Sequence, residues 1–271
     1  SISMHNCASS VVVRENNRSH GSTLLMNECL RRNAPLDRQG THIYDRINVA
    51  IDGPAGAGKS TVARLVAQKL SYIYVDTGAM YRAITWYMIR EGISSDDYDN
   101  VCQRVHNMVI ELIPEKDVQK VLINGEDVTP HIRSLQVNGL VSQYSKIEGV
   151  RSRLSHLQRQ MALRKGVVMD GRDIGTTVLP DAEVKIFMTA SVEERALRRY
   201  KELRDAEAVS LQQLEKDIAT RDRLDESREI SPLRRAEDAI LLDTTSMDIH
   251  QVVEAIVSHC RSHVDGERNH L

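Results

Sequence analysis

Eight residues constrain this chain more than any others: Gly53-Pro54-Ala55-Gly56-Ala57-Gly58-Lys59-Ser60, which fit the pattern G-x-x-x-x-G-K-[ST] at every fixed position. The pattern needs a strand before it and a helix after it. Ile47-Asn48-Val49-Ala50-Ile51-Asp52 is short and apolar and runs straight into the glycines, so it reads as a buried strand entering a loop. From Lys59 to about Leu70, the residues Val62, Ala63, Leu65, Val66 and Leu70 supply the apolar faces of a helix. Glycines let backbone wrap tightly, so successive N–H groups converge on one concavity suited to phosphate oxygens. The helix beginning near Lys59 adds its positive N-terminal end. Gly53, Pro54, Ala55, Gly56, Ala57, Gly58, Lys59, Ser60 and Thr61 are therefore the expected contacts to a nucleotide's phosphates. Lys59 would reach the β- and γ-phosphates and the Ser60 hydroxyl would ligate Mg²⁺. Asp52, ending the strand, is a candidate for a water-mediated contact to that ion, with a structural role as the alternative.

The remaining chain continues a β–α rhythm. Tyr72 to Val75 predicts a second strand, and Gly78 to Glu91 a helix closed by Gly92. A long helix is expected from about Gly149 to Arg164, and strands at Val167–Met169, Val184–Met188 and Ala239–Leu242. Such alternation means an α/β fold: a five-stranded parallel sheet flanked by helices. The rhythm breaks at about 104–143, where two β-like runs surround Pro114 and Asn124-Gly125 signals a turn. A small antiparallel insert is expected there.

The formal net charge of -2 lacks the basic excess of a nucleic-acid binder. No apolar run approaches the roughly 20 residues that span a bilayer. Cys7, Cys29, Cys102 and Cys260 are scattered without a CxxC pair, so reduced thiols in a cytoplasm are expected. His259, Cys260 and His263 read as a helix end with solvated polar residues rather than a metal site. Residues 1–46, rich in Asn, Ser, His and Arg, show no secretory-signal pattern and are expected to be a poorly ordered extension. The main domain is expected over 47–260, with its core at 47–103 and 144–260, and 261–271 is expected as a tail.

A phosphate loop alone leaves the reaction open. A GTPase would carry an Asn-Lys-x-Asp string and a motor an apolar strand ending in Asp-Glu, and neither is present. The acceptor must be named by the rest of the chain. Asp76-Thr77-Gly78-Ala79-Met80-Tyr81-Arg82, Asp170-Gly171-Arg172-Asp173-Ile174-Gly175-Thr176 and Pro180-Asp181-Ala182-Glu183-Val184-Lys185-Ile186-Phe187 form collinear islands. Ala190-Ser191-Val192-Glu193-Glu194-Arg195-Ala196 with Arg198-Arg199 follows, then Arg221-Asp222, Asp225-Glu226-Ser227-Arg228 and Ser231-Pro232-Leu233. In these islands, over residues 47–257, the chain resembles the bacterial-type cytidylate kinase family of P-loop nucleoside monophosphate kinases.

The resemblance implies transfer of the γ-phosphoryl of ATP to CMP or dCMP with Mg²⁺. Nothing in the sequence demands an oligomer, so a monomer is expected, with neither nucleic acid nor membrane as a partner. It implies that Arg82, Arg172 and Arg228 surround the acceptor phosphate, with Thr77 adding a hydroxyl and Tyr81 packing beside the acceptor. It puts Asp173 and Ser142 against the cytosine amino group and Arg151 against N3 and O2. On residues alone, Arg151 reads as a solvated helical charge beside Arg153 and Arg159. Arg221 and Asp225 resemble the pair that reads the sugar hydroxyls, although their spacing equally suits an i,i+4 helix salt bridge. The insert falls in the acceptor-binding region, and a short lid is implied at about 195–214. From there Arg195, Arg198 and Arg199, at helical spacing, would close over the phosphates and join Lys59 and Arg172 in catalysis. Two other readings stay open at this point: a P-loop kinase for another small acceptor, and a nucleotide-dependent binding module using residues 1–46 as a docking arm.

Overall fold

The computed structural model describes residues 46–114, 119–203 and 209–268. In chain order they form β1 (Asn48–Asp52), α1 (Lys59–Leu70), β2 (Ile73–Asp76), α2 (Thr77–Arg90), α3 (Tyr98–His106), β3 (Ile110–Ile113), β4 (Lys120–Ile123) and β5 (Glu126–Asp127). Then follow α4 (Leu135–Ser145), α5 (Glu148–Ala162), β6 (Val167–Gly171), a π-helical turn (Ile174–Val178), β7 (Val184–Thr189), α6 (Val192–Leu203), α7 (Leu211–Glu226), β8 (Ile240–Asp243) and α8 (Ile249–Arg268).

Five strands make a parallel sheet in the order β2-β6-β1-β7-β8. The central strand β1 is buried along its whole length, as expected of a strand covered on both faces. Its side chains alternate between two cores. Val49 and Ile51 face α1 and α8, packing with Val62, Val66, Val253 and Ile256, while Ala50 faces the core of α2 and α5, with Met80, Ile84 and Leu154. The register sets Ile51 beside Asp170 and Asp76 beside Asp170, so three neighbouring strands end together at Asp52, Asp76 and Asp170. The strand order reverses around β1, which makes this carboxyl edge the expected ligand crevice.

The insert is partly as expected. Strands β3, β4 and β5 form a separate antiparallel sheet. The span 104–143 was too broad, however, because its last third is helix α4, capped by Ser134 and packed on α2 and α7. Gly139 and the polar residues between Leu135 and Ser145 mask its period, and only Val137, Val141, Tyr144 and Ser145 are buried. Helix α3, capped by Asp97, also went unseen as an element.

The C-terminal expectation needs correction. Helix α8 runs on to Arg268, so residues 261–268 are its last turns and not a separate tail. Cys260 is in the core, 1% exposed, on a stripe with Val253, Val257 and Val264, and burial raises its thiol to about 12. Residues 1–45, expected as an extension, and 204–208, within the span expected as a lid, lie outside the described residues. No helix among the described residues is long and apolar enough to cross a membrane.

Candidate active site

The donor half grows directly out of β1. Gly53 sits so close to β7 that a Cβ there would lie 2.0 Å from the Met188 carbonyl oxygen, which explains glycine at the start of the loop. Gly58, at φ 82, turns the chain into α1. Lys59 is buried, and its Nζ donates to the Pro54 carbonyl at 2.8 Å, closing the loop on itself. Burial, with Arg172 and then Arg221 nearby, pushes its pKa well below the usual lysine range, while Asp170 and Asp52 oppose this.

Ser60 Oγ donates to Asp170 Oδ2 at 2.9 Å, and Tyr74 Oη donates to Asp170 Oδ1 at 3.0 Å. Burial and the neighbouring Asp76 raise the Asp170 carboxyl to about 6. A hydroxyl and a carboxylate side by side beneath the phosphate loop suit Mg²⁺, a hard ion that takes its other oxygens from phosphates and water. Ser60 was an expected ligand. Asp170 was not assigned a role, although an apolar strand ending in Asp, Val167-Val168-Met169-Asp170, was its visible signal. Asp52 is otherwise engaged: its two oxygens accept from Ile174 N at 2.8 Å and Gly175 N at 2.7 Å. It thereby pins the turn after β6, and burial raises its carboxyl to about 7.

That turn opens the acceptor half. Thr77, Tyr81, Ser142, Arg151, Arg172, Asp173, Arg221, Asp225 and Arg228 all line one cavity at the carboxyl edge of the sheet. Arg151 is 3% exposed, so the solvated-helix reading fails. Its Nη2 pairs with Asp173 Oδ2 at 2.7 Å, its Nη1 donates to the Ser145 carbonyl at 3.0 Å, and its guanidinium lies 5.1 Å from the Tyr81 ring centre. Burial raises the Tyr81 phenol to about 12, so it stays protonated, and its oxygen is buried without a hydrogen-bond partner. A full positive charge is tolerated at this depth because a carboxylate and a π face meet it.

Asp225 is not the helix-internal partner of Arg221. It accepts from Arg172 Nε at 3.0 Å and Ser142 Oγ at 3.3 Å, and pairs with Arg228 at 3.5 Å. Burial opposes ionisation, but Arg172, Arg221 and Arg228 outweigh it and hold the carboxyl below its usual range. Arg221 is left with a buried Nε lacking a hydrogen-bond partner, and burial beside Arg172 lowers it to about 10. Arg228 Nε and Arg82 Nε are buried and unpartnered too. Guanidinium groups with unspent donors around one cavity are the signature of a site for an anionic, hydrogen-bonding ligand. Arg82, by contrast, is not among the residues that line the cavity; its Nη2 lies 3.3 Å from Asp76 Oδ2. Arg133 reaches the same oxygen at 3.6 Å, a second cation that no sequence signal marked. Thr77 Oγ1 donates to the Asp170 carbonyl at 2.6 Å, tying α2 to β6.

The three arginines of α6 part company. Arg195 is buried and bonds the Ala190 and Ala55 carbonyls, both at 2.9 Å. Arg198 bonds Thr244 and Glu194, and Arg199 pairs with Glu202. Donor and acceptor halves meet where Lys59 feels the charges of Arg172 and Arg221.

The cytidylate kinase of Bacillus subtilis (strain 168) is 52% identical over 213 residues, covering 78% of this chain and 95% of that protein. The cytidylate kinase of Ligilactobacillus salivarius (strain UCC118) is 51% identical over 226 residues, covering 83% and 99%. Residues 49–262 match the family described as Cytidylate kinase. With a phosphate loop facing an arginine-lined acceptor pocket, this chain belongs to the cytidylate kinase family.

Proposed function

We propose that this chain transfers the γ-phosphoryl group of ATP to CMP or dCMP, giving ADP and CDP or dCDP. The observation that carries the reading is the buried Arg151–Asp173 pair at the head of an arginine-lined cavity that adjoins Lys59.

Cytosine has an amino donor at N4 and acceptors at N3 and O2. Asp173, with Ser142 beside it, accepts from N4, and Arg151 donates to the ring acceptors. Uracil would turn its O4 acceptor toward that carboxylate, setting acceptor against acceptor. Asp225 and Arg221 hold the sugar. Arg172, Arg228 and Arg82 take the acceptor phosphate through the guanidinium fork, and Thr77 adds a hydroxyl. Lys59 draws charge from the γ-phosphoryl as it moves between oxygens.

Mg²⁺, held by Ser60 and Asp170 when bound with ATP, would neutralise charge on the β- and γ-phosphates. Asp52 contributes through the turn that it pins. Arg198 and Arg199 reach the phosphates when the lid closes and excludes water, while Arg195 serves the loop backbone. Alignment and charge stabilisation suffice, so no covalent intermediate or dedicated base is needed. The enzyme works as a monomer in the cytoplasm; the unpaired thiols of Cys102 and Cys260 suit a reducing compartment.

The test is ADP release from Mg·ATP by the full chain in a coupled assay. Release that depends on CMP is expected. Release indifferent to CMP, or none with it, would overturn the reading.

A further inference from the structure

The kinase reading leaves one buried carboxylate unexplained. Helix α7 turns Arg221 and Asp225 toward the acceptor cavity, yet Asp222, between them, does not line it. Asp222 is 8% exposed, and its Oδ2 lies 2.7 Å from Arg195 Nη1. The same nitrogen donates to the Ala55 carbonyl at 2.9 Å, while Arg195 Nε donates to the Ala190 carbonyl at 2.9 Å. One guanidinium therefore joins three pieces of chain: the phosphate loop, the end of β7 and helix α7.

We infer that Asp222 is a positioning residue for the donor loop, holding Arg195 against the carbonyl of Ala55. This inference rests on the kinase reading above and deepens it.

The physical reason lies in the peptide plane. In a trans peptide the C=O of one residue and the N–H of the next point in opposite directions. Fixing the Ala55 carbonyl outward on Arg195 aims the Gly56 N–H inward, toward the concavity that receives phosphate oxygens. At Gly56, φ is 73°, and a Cβ there would lie 3.3 Å from both Arg195 Cβ and Arg195 O and 3.6 Å from Ile218 Cδ1. The loop apex thus rests on α6 and α7, which share a small core of Ala196, Leu214 and Ile218. A buried arginine keeps one geometry only when its charge is met, and Asp222 meets it. Asp222 Oδ1 has no hydrogen-bond partner, so the direct pairing of this carboxylate is with Arg195, while its charge reaches Arg221 only through space. The consequence is specific: a substitution on the acceptor-side helix should act on the donor.

The experiment is isothermal titration of the full chain with Mg·AMP-PNP, a non-hydrolysable ATP analogue, and separately with CMP. In Asp222→Ala the AMP-PNP Kd should rise about tenfold while the CMP Kd stays within about twofold. Asp222→Asn, which keeps an acceptor oxygen without the charge, should fall between. It decides the matter by the same ratio if the alanine variant does not fold, as judged by far-UV circular dichroism and Tm. In the double variant with Arg195→Lys, the loss of AMP-PNP affinity should be much less than the sum of the single losses. An unchanged AMP-PNP Kd in a folded variant would overturn the inference, as would an equal loss for both ligands. Failure of the wild type to bind CMP would instead overturn the kinase reading, with the AMP-PNP arm still deciding the role of Asp222.

Discussion

The donor loop is nine consecutive residues, 53–61, whereas the acceptor pocket draws Thr77 and Tyr81 from α2, Ser142 from α4, Arg151 from α5, Arg172 and Asp173 from beyond β6, and Arg221 and Asp225 from α7. The loop owes its shape to backbone: glycines at positive φ, a close approach to Met188, and a lysine turned onto Pro54. The pocket owes its shape to charge. Arg151 is buried because Asp173 is, and Arg172 and Arg228 are held because Asp225 is. A loop of the first kind keeps most of its shape within itself, with the Arg195–Asp222 pair its one charged tether to the distant chain among the contacts described above. A pocket of the second kind is cooperative, since removing one charge strands its partner in low dielectric.

The largest effects should come from removing one charge in each half, and they should differ in kind. Lys59→Ala should lower kcat by roughly 10³-fold with the fold retained, because the lysine acts on charge developing in transfer. Steady-state kinetics with circular dichroism checks this. Asp225→Ala should cost about 3–5 kcal/mol of stability, since it leaves Arg172 and Arg228 unmatched, and should cost CMP affinity too. Denaturant unfolding measures it, and a cost below about 1 kcal/mol would break the contrast between the halves.

A smaller effect should follow from pH. The folded pKa of Asp52 is raised to about 7 and that of Asp170 to about 6, so the native state holds protons that the unfolded chain has released. Stability must then fall as pH rises between the unfolded and folded values. Asp52 alone predicts a loss of about 2–3 kcal/mol between pH 5 and pH 8 for the protein without nucleotide. Asp225, depressed instead, contributes nothing in that window. Chemical denaturation across the range tests the sign. The smallest effect belongs outside the cleft. Lys69 and Glu254 form an ion pair between α1 and α8, with side chains 42% and 43% exposed, and Glu254→Gln should leave the denaturation midpoint unchanged within error.

The same contrast explains what the sequence made legible. Val49, Ala50 and Ile51 before the glycines, and Val62, Ala63 and Val66 after them, carry strand and helix periods locally, so β1, the loop and α1 stand out. The acceptor residues became legible through the family resemblance. Taken alone, Arg151 sits among other arginines on a helix, and nothing local tells that Asp173, on another element, will draw it inside. Arg133 and Asp222 were missed for the same reason, since their partners Asp76 and Arg195 are distant in sequence. Helix α4 was missed because half of its surface is polar and Gly139 sits mid-helix, so its burial comes from neighbours rather than from its own pattern.

The central claim is that the paired charges of the pocket read cytosine, and the most direct measurement is the ratio of kcat/KM for CMP to that for UMP, in wild type and in Asp173→Asn. An unmet polar partner in a buried site costs roughly 1–3 kcal/mol, so the wild-type ratio should be about ten to a hundred or more. In Asp173→Asn the ratio should shrink, because an amide can turn a donor toward uracil O4. Activity on both bases should also fall, because Arg151 loses its counter-charge at 2.7 Å. A wild-type ratio near one would contradict the account, and an unchanged ratio in the variant would remove Asp173 from base recognition.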